Sequence, residues 1–170
     1  MRAGGERLLA ATEQAPWLPP GSAAEVWVGA DCAVPEPAII VRLLLTRRTG
    51  TDNPAFFCVP TAKGPDLPTR FLGTGHERVR PYDGLVLLLG DVLGDGDAAT
   101  RCVGYVRNVV PRPDDSYPHP TPRAHVPVFV GLDAGKPVAD GEWVSLGRGR
   151  AELRSRHWWP IVEHHLTAAE

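Results

Sequence analysis

Glycine and proline, 18 of each among 170 residues, fall between short apolar runs without a period of their own, so they read as the turns of a β-rich domain. The runs between them carry strand patterns. EVWVGADCAV, within Ala24 to Val34, alternates bulky apolar with small or polar residues, and Pro35 to Pro37 end it. AIIVRLLLTRR, Ala38 to Arg48, is apolar almost throughout and suits one buried strand that opens to the surface at its two arginines. TGTDNP is then a loop, AFFCVP (Ala55 to Pro60) a short strand, and TAKGPDLPT a further loop. TRCVGYVRNVV, Thr100 to Val110, alternates again. The next thirteen residues, PRPDDSYPHPTPR, hold five prolines and cannot form a regular ladder. AHVPVFVGL is a strand whose Pro127 belongs at an edge or a bulge, and GEWVSL is a short strand after it.

Helix is expected in few places. Tyr82 to Gly94 is the one interior stretch that favours it, with Asp83 as N-cap and Gly94 as terminator. Apolar positions nearly encircle that helix, so it should pack against a sheet. Gly149 to Arg154 and His157 to Glu170 read as one or two closing helices, with Pro160 near the start of the last. Residues 1–22 read as an N-terminal arm, loose or briefly helical from Glu6, because APWLPPG stops any helix there. Residues 23–170 then form a single α+β domain, an ordinary size for 43% apolar content.

Several function classes lose support. A net charge of −2 gives no basic footprint for nucleic acid or anionic membrane. No apolar run approaches the roughly 20 residues of a bilayer span, and the N-terminal apolar stretch is short for a signal peptide, which places the protein in the cytoplasm. Cys32, Cys58 and Cys102 are too widely spaced for a CxxC metal site and read as buried, reduced thiols. The nucleophile-elbow, phosphate-loop and dinucleotide fingerprints are missing.

The segment from Gly73 to Asp95, GTGHERVRPYDGLVLLLGDVLGD, resembles the box of the Nudix hydrolase superfamily. VRLLLTRR resembles the family's strand before the box, Leu67 to Thr69 its Leu-Pro turn, and GEWVSL with HWWP its closing strand and helix, so the likeness spans roughly residues 24 to 166. It implies an α/β/α sandwich with a mixed sheet, and it allows a homodimer. The family pattern is G-x5-E-x7-R-E-U-x-E-E-x-G-U, with U a bulky aliphatic residue. Gly73 and Gly94 have the right separation, but Val79, Leu87, Leu88 and Val92 stand where a glutamate, an arginine and two more glutamates would be. Asp91 is the carboxylate that survives in register. Glu77 reaches the first glutamate position with a small gap, and Asp95 lies just past the helix.

The resemblance implies hydrolysis of nucleoside diphosphate-linked substrates with Mg²⁺ or Mn²⁺, since carboxylates on one helical face hold the cations that neutralise a pyrophosphate and activate water. On that reading Glu77 and Asp91 are catalytic and Glu77, Asp91 and Asp95 hold the metal. Arg47 and Arg48 suit phosphate, while Arg107, Asn108 and Tyr117, with His119, Arg123 and His125 nearby, offer a rim for base or sugar. The pocket is expected between the box helix and the Arg107 to His125 loop. With so few carboxylates left, a noncatalytic nucleotide-binding or protein-interaction module on the same fold is the alternative, since a fold does not fix a function. His157, His164 and Glu163 could share a helical face, yet no fourth metal ligand accompanies them, and Trp158 and Trp159 better suit anchors for the last helix.

Overall fold

In a computed structural model describing residues 5–49, 53–132 and 135–168, the alternating runs assemble into a mixed sheet with helices on both faces. Its strand order is β1 (Arg7–Thr12), β2 (Ala23–Val28), β8 (Thr100–Val109), β9 (Arg123–Gly131), β3 (Ile40–Leu44) and β7 (Thr69–Phe71). Only β3 and β9 run parallel; the other neighbours are antiparallel. A smaller sheet places β5 (Asn53–Thr61) between β10 (Glu142–Ser145) and β4 (Thr46–Thr49), and β6 (Gly64–Asp66) folds back on β5.

The pleat sorts the side chains into two cores. Val26, Val28, Val106, Val126 and Val128 face Phe56 and Val144 of the smaller sheet together with Trp159, Ile161, Val162 and Leu166 of α3 (Trp159–Ala168). Their strand neighbours Trp27, Val41, Leu43, Tyr105 and Phe129 face the other way, onto Leu85, Leu88, Leu89 and Val92 of α1 (Pro81–Leu93). Apart from the partly buried Trp27, each of these buried side chains contributes about 1.5–3 kcal/mol. A short α2 (Leu146–Glu152), capped by the Ser145 hydroxyl on the Arg148 amide at 3.1 Å, joins β10 to α3. The α3 side depends on Gly104, where a Cβ would stand 2.6 Å from the Trp27 carbonyl and 3.0 Å from Ile161.

The helix from the box segment ends as expected, with Gly94 left-handed at φ 70°. Its start differs, because Arg80 rather than Asp83 is the cap and Pro81 opens the first turn. Leu88 and Val92 pack inward, whereas Val79 (39% exposed) and Leu87 (48%) face solvent and do not serve the core. Other expectations change too. Arg7–Thr12 is an edge strand on β2, not a helix, because pairing outweighs the propensity of RLLAAT. The run Ala38 to Arg48 breaks at Leu45 into two strands of different sheets, and the Leu45 carbonyl accepts from the Phe57 amide at 3.0 Å. TAKGPDLPT contains β6 and the start of β7. Part of the TGTDNP loop, residues 50–52, lies outside the described residues.

Pro127 lies in the interior strand β9, not at an edge. His125 pairs through its amide with the Pro37 carbonyl at 2.9 Å, so the next acceptor along is Ile39. That carbonyl takes the Leu72 amide instead, at 2.9 Å, and the missing proline N–H leaves no orphan. The three cysteines are buried and free. No helix among the described residues is long and apolar enough to cross a membrane.

Candidate functional site

The same pleat separates residues that sequence places together. Arg107 and Asn108 are consecutive on β8 and so point to opposite faces. Arg107 lies on the α1 side, over the Trp27 ring at 5.2 Å and the Tyr105 ring at 5.5 Å, with Glu25 at 3.5 Å. Its Nε donates to His125 Nε2 at 3.0 Å. Arg47 and Arg48 also diverge along β4: Arg47 stacks over Trp143 at 4.4 Å, and Arg48 donates to the Leu166 carbonyl of α3 at 3.3 Å. They form no joint phosphate fork.

Asn108 and Tyr117 do meet, in a cavity of about 280 Å³ on the α3 face of the sheet. That cavity does not lie beside α1, where the pocket was expected, because α1 covers the opposite face. Ile39, Ile40, Val106 and Val126 make an apolar floor, and Arg42, His119, His157 and Trp17 complete the lining. Trp17 stacks on His157 with centroids 4.4 Å apart and planes at 25°. Tyr117 stands edge-on to His119 at 5.2 Å, and His119 edge-on to Phe71 at 6.2 Å.

Among the described residues the Tyr117 hydroxyl and the His119 Nδ1 are buried and lack a hydrogen-bond partner. Burial pushes the Tyr117 hydroxyl above its ordinary range; Asn108 opposes this from close by, although the contact falls outside hydrogen-bond geometry. Burial likewise pushes the His119 imidazole below its usual value. Both groups are thus neutral near pH 7, able to donate and accept, and unsatisfied. Lost hydration lowers His157 as well, followed by the charges of Arg42 and Arg156.

The box carboxylates are scattered. Glu77 sits exposed in a single 3₁₀ turn (Gly75–Glu77) before α1, and Asp91 sits in its last turn, with about 15 Å of helix rise between Pro81 and Asp91. Asp91 is exposed and pairs with Arg70 at 3.5 Å. Asp95 accepts from the Asp97 amide at 3.0 Å in the following turn. Among the described residues no three His, Cys, Asp or Glu side chains gather as a cation would require. As arranged, Glu77, Asp91 and Asp95 do not fit one shared Mg²⁺ or Mn²⁺. His157 is likewise apart from His164, since it precedes α3 and faces the Trp17 cavity.

Trp17, Arg42 and His157 were not legible as lining residues, because about 140 positions separate the stacked pair and Arg42 sits inside an apolar run. Comparison with protein-family models, with curated proteins and with solved structures found no match.

His125, on the α1 face beside Arg107 and Tyr105, supplies a pH test of the fold. It is buried, its Nδ1 lies 3.0 Å from the Pro37 carbonyl, and its Nε2 accepts from Arg107, a pattern that requires the neutral ring. Burial chiefly pushes it below the usual 6.5, Arg107 adds to that, and the Pro37 carbonyl opposes it. The unfolded chain therefore takes up a proton first, so this contribution to stability is whole above about pH 6.5 and is lost as pH falls toward the folded value. His119, His157 and His165 are lowered too and act in the same sense. Urea unfolding at pH 7 and pH 5 should show a lower free energy at pH 5, with a smaller drop in His125→Gln; equal drops would contradict this role.

Proposed function

We propose that this chain is a Nudix-like protein that binds a nucleotide-like small molecule in the Tyr117 cavity and has lost hydrolysis by a carboxylate-held cation. The observation that carries the reading is the pair of buried, unsatisfied polar groups, Tyr117 hydroxyl and His119 Nδ1, at an aromatic-walled cavity. A planar heterocycle with donors and acceptors on its edge would satisfy both and gain the adjacent rings. Arg42 offers a cation beside it, and about 280 Å³ is at the small end for ligand cavities. The Nudix likeness is supported by a mixed sheet carrying α1 on one face and α3 on the other, with the box segment folding as loop, helix and glycine stop. Free buried thiols favour a reducing compartment, the cytoplasm.

The test is a phosphate-release assay on nucleoside diphosphate derivatives with Mg²⁺ and with Mn²⁺. No turnover above the protein-free blank is expected. Cation-dependent turnover abolished by Glu77→Gln or Asp91→Asn would restore the hydrolase reading and overturn this one.

A further inference from the structure

At the far end of β8, about 23 Å along the strand from Asn108, a second depression opens between the sheet and the last turns of α3. It encloses about 440 Å³ and gathers Arg7 of β1, Arg101 of β8 and His164 and His165 of α3, beside the backbone of Gly29 and Ala30. Among the described residues no carboxylate lines it. Glu6, which stands between Gly5 and Arg7 in sequence, accepts instead from the Tyr105 hydroxyl at 2.6 Å, on the α1 side of the sheet.

Arg101 is the unusual member. Its Nε is buried and has no hydrogen-bond partner among the described residues, a costly state for a guanidinium donor. The ordinary explanation for cations here would be capping of the α3 carbonyls. The Leu166 carbonyl, however, is taken by Arg48 from the other side, at 3.3 Å. Arg101 and His164 also add to the burial that pushes His165 below its usual value, and among the described residues no counter-charge lines the depression.

We propose that Arg7, Arg101, His164 and His165 form a binding site for a phosphoryl oxyanion, either free phosphate or the phosphate of a small monoester. The guanidinium forks match paired phosphate oxygens, and the imidazoles add single donors. An oxyanion completes the Arg101 Nε and relieves the repulsion across the depression. The site is separate from the Tyr117 cavity and stands independently of it.

The experiment is calorimetric titration of the full chain with inorganic phosphate and with ribose 5-phosphate, each variant first being checked for an intact thermal transition. Saturable binding of at least one is expected at a Kd of about 1 mM or tighter. Arg101→Gln should weaken it about tenfold or more, as loss of a charge-assisted bond does. Tighter binding of the monoester identifies a phosphorylated metabolite as the ligand, and equal binding identifies the free ion. Should Arg101→Gln not fold, His165→Gln and the exposed Arg7→Gln carry the same expectation at severalfold. No saturable heat from either phosphate up to about 20 mM, or unchanged affinity in folded variants, overturns the proposal.

Discussion

Replacing Trp158 with alanine is expected to lower the unfolding free energy by about 3–5 kcal/mol, the range for truncating a buried tryptophan. The melting temperature should fall by roughly 10 °C in a chain of this size. Trp158 is 1% exposed, meets Phe56 edge-on with centroids 6.0 Å apart, and donates its Nε1 hydrogen to Asp66 at 2.7 Å. It therefore anchors the entry to α3 against the smaller sheet while also fixing a carboxylate. Trp158→Phe separates the two roles: it retains much of the packing, loses the donor, and should cost only about 1–2 kcal/mol. Chemical denaturation measures both. A loss below about 1 kcal/mol in the alanine variant would mean that α3 is not held there.

Asp66 is the second sensitive point, with about 3 kcal/mol expected on substitution by alanine, as for removing one member of a largely buried ionic group. Its Oδ1 meets Arg42 Nη1 at 3.2 Å and its Oδ2 meets Arg156 at 3.6 Å, and all three side chains are less than a fifth exposed, at 16–19%. Burial holds the Arg42 guanidinium below its ordinary value, with Asp66 opposing this and Arg156 adding to it. Without the carboxylate two cations face each other beside the cavity that Arg42 lines. Arg42→Met in the Asp66→Ala background should recover part of the loss, since it removes one of the two unpaired charges. If the double variant is no more stable than Asp66→Ala, repulsion is not the cause.

Much of the scaffold was legible from local pattern. The period of two marks β2 and β8, and the Gly94 stop marks the end of α1, because these signals depend on neighbours in sequence. The strand run through Leu45 misled, since an unbroken apolar stretch carries no mark of where the chain leaves one sheet for another. RLLAAT misled for a related reason: its pairing partner, β2, outweighs its own preference. The site was legible in part. Asn108 lies just before the proline-rich loop and Tyr117 within it, and the two share the cavity, whereas Arg107, the neighbour of Asn108, is turned by the pleat to the other face. Asp66, in a Gly- and Pro-punctuated hairpin, carried no sequence sign of its two arginines and its tryptophan, which lie 24, 90 and 92 positions away.

The account rests on binding at the α3 face through Tyr117 rather than at the box helix through Asp91. Calorimetric titration of ADP into the wild-type chain, Tyr117→Phe and Asp91→Asn, each with and without Mg²⁺, separates the two. The account predicts saturable binding that is indifferent to the cation and to Asp91→Asn, and weakened about fivefold or more by Tyr117→Phe through loss of the buried hydroxyl's bond to ligand. Binding that requires Mg²⁺ and Asp91 while ignoring Tyr117→Phe would contradict it.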